Sequence, residues 1–157
     1  MLLQVLLAVH ILSAIVFVGN IITAAFWKVR ADRSGNLETI ALTTRAVLIA
    51  DRAFTGPGIV VLLGTGIAMV GLTDWERFQE LWLGLSFVLL IVTAIIWLAA
   101  LIPLQVRMAR LARAGAASGA LDPAYRRASR LWAIFGGIAT LLPVVILFLM
   151  VLKPTVE

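Results

Sequence analysis

The chain contains a single histidine, His10, and no cysteine. Disulfides, thiolate metal sites, iron–sulfur clusters and thiol nucleophiles are therefore excluded. Imidazole chemistry belongs to His10 alone. This residue lies in an uncharged run, residues 1–27, about eight residues or roughly 12 Å from the outer end of that run. An ionisable side chain in such a run marks function by default, although a neutral imidazole can also simply hydrogen-bond a neighbouring helix. As a ligand, imidazole suits haem iron or copper. Met69 and Met150 are expected near the same membrane face and offer thioethers to either metal. His10, Met69 and Met150 are thus the cofactor-binding candidates, with His10 the metal ligand. Ser13 and Asn20, with Phe17 and Ala24, follow His10 at spacings of three and four. They form a polar stripe that must face protein or a cavity rather than lipid. Other chemistries lack their residues: no phosphate-cradling glycine loop is present, and no nucleophile has a base and an orienting acid.

The elements that would position these residues follow from hydropathy. Residues 1–27, 53–73, 81–106 and 131–152 contain no Asp, Glu, Lys or Arg. Each is long enough to cross a hydrocarbon core of about 30 Å, which takes about 20 residues of helix. The runs are continuous rather than alternating, which selects helices over a barrel. At 157 residues the chain is one domain. Its composition, 62% hydrophobic and 13% charged, with mean hydropathy +1.08, excludes a soluble enzyme, a disordered tail and a nucleic-acid-binding domain. The predicted fold is all-α: an integral membrane four-helix bundle over residues 1–157, with helices at about 2–27, 55–72, 81–113 and 123–152. The first run has no basic residue before Lys28, so it reads as a retained helix rather than a signal peptide.

Between the runs, Ser34-Gly35-Asn36 is a turn signal. Residues 37–50 have the spacing of a short amphipathic helix that lies at the inner surface or runs into helix 2, and Thr55-Gly56-Pro57-Gly58 predicts a break after it. Trp27 and Lys28 are expected at the membrane interface. Asp51 and Arg52 are expected at the inner surface, pairing there with Arg30 or Arg45. Gly56, Gly58, Gly64, Gly66 and Gly71 predict close helix approach along helix 2. Pro103 predicts a kink in helix 3, Asp122-Pro123 a helix start, and Pro143 a bend in helix 4.

The 13 Lys and Arg residues fall 5, 1, 6 and 1 across the two inner connections, the outer link and the tail, in chain order. By the positive-inside rule the first and third connections are cytoplasmic and both termini are periplasmic. The localisation this implies is a bacterial inner membrane, multi-pass. Arg107, Arg110, Arg113, Arg126, Arg127 and Arg130 form a basic cluster suited to anionic lipid head groups. No nucleic-acid partner is expected.

His10-Ile11-Leu12-Ser13-Ala14, then Phe17-Val18-Gly19 and Phe26-Trp27, resemble the first helix of a bacterial family of predicted integral membrane proteins, domain of unknown function 2269. Asp51, Phe54 and Thr55-Gly56-Pro57-Gly58 resemble its second-helix entry. More distantly, a His in the outer half of helix 1 followed by aromatic-x-Gly is similar to the membrane protoporphyrinogen oxidase and copper-resistance D families. That likeness implies His10 as a ligand of haem b or, less closely matched, of copper. The second haem ligand would be His10 of another subunit, Met69, Met150 or none. Two functions follow as expectations. One is a haem-b-binding or redox-associated membrane protein. The other is a non-catalytic one acting as a homo-oligomer or as an accessory subunit of a larger membrane complex.

Overall fold

The computed structural model describes residues 1–154. The expected domain extends to residue 157, and residues 155–157 lie outside the described residues. Four helices are long and apolar enough to cross a membrane: α1 (Leu2–Ser34), α2 (Leu37–Thr73), α3 (Leu81–Ser118) and α4 (Pro123–Leu152). Among the described residues there is no strand. The helices run up and down. One end of the bundle carries the α1–α2 and α3–α4 turns and most of the arginines; we call it the basic end. The other, terminal end carries both termini and the α2–α3 link, a 3₁₀ segment at Trp75–Gln79.

The turns form where the sequence has the chemistry for them. Gly35 takes a left-handed conformation, φ 67°, which closes α1. Asn36 Oδ1 then accepts from Thr39 N at 2.9 Å to start α2. Gly119, φ 78°, closes α3. Asp122 Oδ1 accepts from Ala124 N at 2.7 Å, with Pro123 in the first turn of α4.

Three features refine the sequence expectation. First, α1 continues past Trp27 and Lys28 to Ser34, because nothing there stops a helix before Gly35. Second, residues 37–50 form the expected short helix, Leu37–Ala50, and of its two expected placements it takes the one that runs into helix 2, as the first part of a continuous α2. Third, Pro57 does not break that helix but bulges it. Proline has no N–H and its ring displaces the carbonyl four residues back. The chain responds by widening one turn: Asp51–Thr55 is a π-helical segment, and Gly56 N–H donates to Asp51 C=O, five residues back. The same solution recurs before Pro103. Trp97–Leu101 is π-helical, and Ile102 N–H donates to Trp97 C=O. π-bulges of this kind cluster at functional sites.

Consecutive helices pack along the bundle, whereas α1 and α4 meet least. The main core lies toward the basic end, around Val47, Leu101, Met108, Ala112, Tyr125 and Trp132. A smaller cluster, Phe17, Ile59 and Leu62, joins α1 to α2 nearer the terminal end. Two glycines of α2 make the close approaches there. A Cβ on Gly58 would meet Phe17 Cβ at 3.1 Å, and one on Gly56 would meet the Trp97 ring at 3.0 Å. Gly64, expected at a contact, has nothing within 4 Å and is exposed, so it makes no close approach within the chain.

Candidate functional site

The polar stripe of α1 divides when its partners are located. Ser13 bonds only its own helix, at Val9 O, 2.8 Å. Asn20 reaches across to α2, where Nδ2 donates to Asp51 Oδ1 at 2.8 Å and to Thr55 Oγ1 at 2.9 Å. Thr55 Oγ1 in turn donates to Asp51 Oδ1 at 3.2 Å. From α3, Gln105 Nε2 donates to Asp51 Oδ2 at 2.5 Å. Side chains of three helices therefore converge on one carboxylate that is 6% exposed. Asp51 and Thr55 are four residues apart on α2, so they share one face, at the π-bulge.

This corrects the expected surface ion pair of Asp51 with Arg30 or Arg45. Among the described residues Asp51 has no ion pair. Its neighbour Arg52 is exposed, and every donor to the carboxylate is neutral. Twenty residues of helix back from Thr73 cover about 30 Å, which places the cluster at the basic-side boundary of a hydrocarbon core.

A cavity of about 440 Å³ adjoins the cluster. Asp51, Thr55 and Gln105 line its polar end, together with the indoles of Trp97 and Trp132. Three buried polar atoms here have no partner: Trp97 Nε1, Trp132 Nε1 and Gln105 Oε1. Buried polar atoms without partners are rare and call for an explanation. Toward the middle of the bundle the lining is mostly apolar, with Phe17 and Val144, and the hydroxyls of Thr93 and Thr140 there donate to their own helices. On the flank between α1 and α4, lining residues Val29, Ala133, Gly137 and Leu141 are exposed. The cavity thus opens sideways, where those two helices meet least.

Below the cavity the same flank is closed. Lys28, expected at the interface, is 2% exposed. It pairs with Asp32 at 2.6 Å and donates to Ser129 of α4. Tyr125 Oη donates to Asp32 Oδ1 at 2.6 Å and Ser129 Oγ to Asp32 Oδ2 at 3.0 Å. The ammonium also lies 5.1 Å from the Trp132 ring centroid, a cation–π distance. The group clasps α1 to α4 at the basic end.

His10 lies elsewhere. The one hydroxyl proton of Thr65 goes to Val61 O at 2.6 Å. Thr65 Oγ1 therefore accepts from His10 Nδ1–H at 2.7 Å. A Cβ on Gly66 would lie 3.6 Å from His10 Cε1. His10 thus pairs α1 with α2, and it does not line the cavity. Neither do Met69 and Met150, both half-buried. Among the described residues no group of three or more His, Cys, Asp or Glu is placed to hold a metal. All six cluster arginines, Arg107 to Arg113 and Arg126 to Arg130, are exposed at the basic end.

A family model described as "Predicted integral membrane protein (DUF2269)" matches residues 4–154. The chain belongs to that family. No match to a curated protein or to a solved structure was found. Membership and the four apolar helices make this a multi-pass integral membrane protein.

Proposed function

We propose that this DUF2269 protein is a non-catalytic, membrane-embedded binding protein. It takes a small, lipid-soluble molecule from the bilayer through the α1–α4 flank and fixes the molecule's polar end beside Asp51 and Gln105. One observation carries this reading: the cavity opens on the α1–α4 flank, and its lining residues Gln105, Trp97 and Trp132 each hold a buried polar atom without a partner. Such atoms cost about 1–3 kcal/mol each when left unpaired, so side-chain shifts that bring them to a ligand's polar end are favourable. In orientation we place the basic end in the cytoplasm of a bacterial inner membrane, with both termini periplasmic. The exposed arginines support this through the positive-inside rule and through attraction to anionic head groups. As an accessory subunit or homo-oligomer the chain would present the same cavity.

The test is photolabelling in nanodiscs with adamantyl diazirine, a small neutral probe that partitions into lipid. Labels are expected to concentrate on cavity residues such as Phe17, Trp132 and Thr140. They should fall in Gly136→Leu, whose added side chain starts where a Cβ meets only Leu101, at 4.0 Å. Labelling spread evenly over exposed apolar side chains, and unchanged by Gly136→Leu, would contradict the proposal.

Haem b at His10 is the second reading. The Nδ1 bond to Thr65 favours it, because an axial histidine is oriented in that way through its other nitrogen. His10 lines neither this cavity nor the groove beside Trp27 and Leu42. An absorption spectrum separates the two: a Soret band lost in His10→Ala would favour haem.

A further inference from the structure

We infer that the cavity's ligand carries a cationic amine. This inference rests on the binding reading above and names the chemical class of the molecule bound. Asp51 is buried among Asn20, Thr55 and Gln105, all of them neutral donors. Hydrogen bonds from neutral dipoles satisfy the geometry of a carboxylate, but they do not cancel its charge, and a buried charge is costly unless it is paired.

The other charges around the cavity do not supply the pair. Lys28 is taken by Asp32 beneath the Trp132 ring, and Arg52 is exposed. Of the remaining basic side chains, Arg107 follows Gln105 by two residues and Arg130 precedes Trp132 by two, and both are exposed.

Of the three unpartnered atoms, the one acceptor selects further. Gln105 has its Nε2 committed to Asp51, so its Oε1 is an acceptor, 1% exposed as a residue, with no donor. A primary or secondary ammonium donates to two acceptors at once: the free lone pair on Asp51 Oδ2 and Gln105 Oε1. Trp97 and Trp132 line the same cavity, and the Trp97 face is open to a cation while Lys28 already lies over that of Trp132. Their Nε1–H donors take an acceptor from another part of the ligand, because an ammonium has none. A carboxylate ligand would face Asp51 as a like charge. A neutral alcohol could donate once and would leave the charge unpaired. The apolar lining toward Phe17 and Val144 then takes the hydrocarbon part, which enters sideways between α1 and α4. The geometry thus points to a lipophilic amine, oriented with its head toward the basic end and its tail toward the bilayer centre.

Decylammonium, decanol and decanoate share one tail and differ in head group. Their binding to the full chain in nanodiscs is read from saturable changes in tryptophan fluorescence, with empty nanodiscs as the blank. Wild type is expected to bind decylammonium about tenfold more tightly than decanol, the difference between a charge-assisted and a neutral hydrogen bond, and decanoate most weakly. In Asp51→Asn, amine and alcohol should bind alike, and retained decanol binding shows that the variant is folded. Equal binding of amine and alcohol by wild type would overturn the amine assignment and leave the binding reading standing. Saturable binding of none of the three would overturn both. The wild-type comparison decides the matter alone if Asp51→Asn does not fold.

Discussion

Gln105→Leu is expected to lower stability in detergent by about 2–3 kcal/mol, the worth of a hydrogen bond to a charged group. Leucine nearly matches glutamine in size, so the cost isolates the polar contact rather than a hole. The substitution strips Asp51 Oδ2 of its donor while the carboxylate stays buried at 6% exposure. Asp51→Leu added to it should restore much of the loss. Removing both members of a buried polar pair is often near neutral, whereas removing one leaves the other uncompensated. The remaining Asn20 Nδ2 keeps Thr55 Oγ1 as acceptor at 2.9 Å, so the double variant leaves few orphans. Reversible denaturation curves of wild type, the two single variants and the double variant give the coupling. Independent effects, with no recovery in the double variant, would show that Gln105 acts by packing alone.

Asp32→Ala has a comparable expected cost. Lys28 would stay buried without its carboxylate, and Tyr125 Oη and Ser129 Oγ would lose the acceptor they share. Breaking one side of a buried ion pair costs about 3–5 kcal/mol. The Asp32 side chain is 27% exposed, so water replaces part of its role and the loss should fall near about 3 kcal/mol. Lys28→Met in the same chain removes the stranded ammonium and should recover about half, since Tyr125 still lacks its acceptor. The clasp is the polar link between α1 and α4 at the basic end. Its loss should therefore also lengthen the distance between spin labels at residues 29 and 133. A melting temperature and label distance equal to those of wild type would show that the clasp does not hold the flank.

Much of the fold is legible in the residues themselves. Four uncharged runs, the Gly35 and Gly119 stops, and the Asn36 and Asp122 caps specify four antiparallel helices. The site was harder to read, for identifiable reasons. Asp51 looks like a surface acid because Arg52 follows it and the uncharged run starts at residue 53. Its burial depends on α2 being continuous through Pro57, and on Asn20 of α1 and Gln105 of α3 meeting it there. The available signal was Asp-x₅-Pro on α2 set against Trp-x₅-Pro on α3, two equal spacings that produce two equal bulges. Lys28 misled in the same way. An ammonium at a helix end reads as interfacial until α4 is seen to bring Tyr125 and Ser129 to it. The two ends of the stripe through His10 and Asn20 serve different partners, Thr65 for His10 and Asp51 for Asn20.

The central claim is that Asp51 is a carboxylate inside the bundle, reached from the bilayer through the cavity. Carboxyl modification tests it most directly. The protein in nanodiscs would be treated with dicyclohexylcarbodiimide, which is lipid-soluble, or with a charged, water-soluble carbodiimide, and the modified residues located by mass spectrometry. The expected result is modification of Asp51 by the lipid-soluble reagent only, with the water-soluble one confined to acids such as Asp74, Glu76 and Glu80, all outside the core. Modification of Asp51 by the water-soluble reagent, or by neither, would contradict the account.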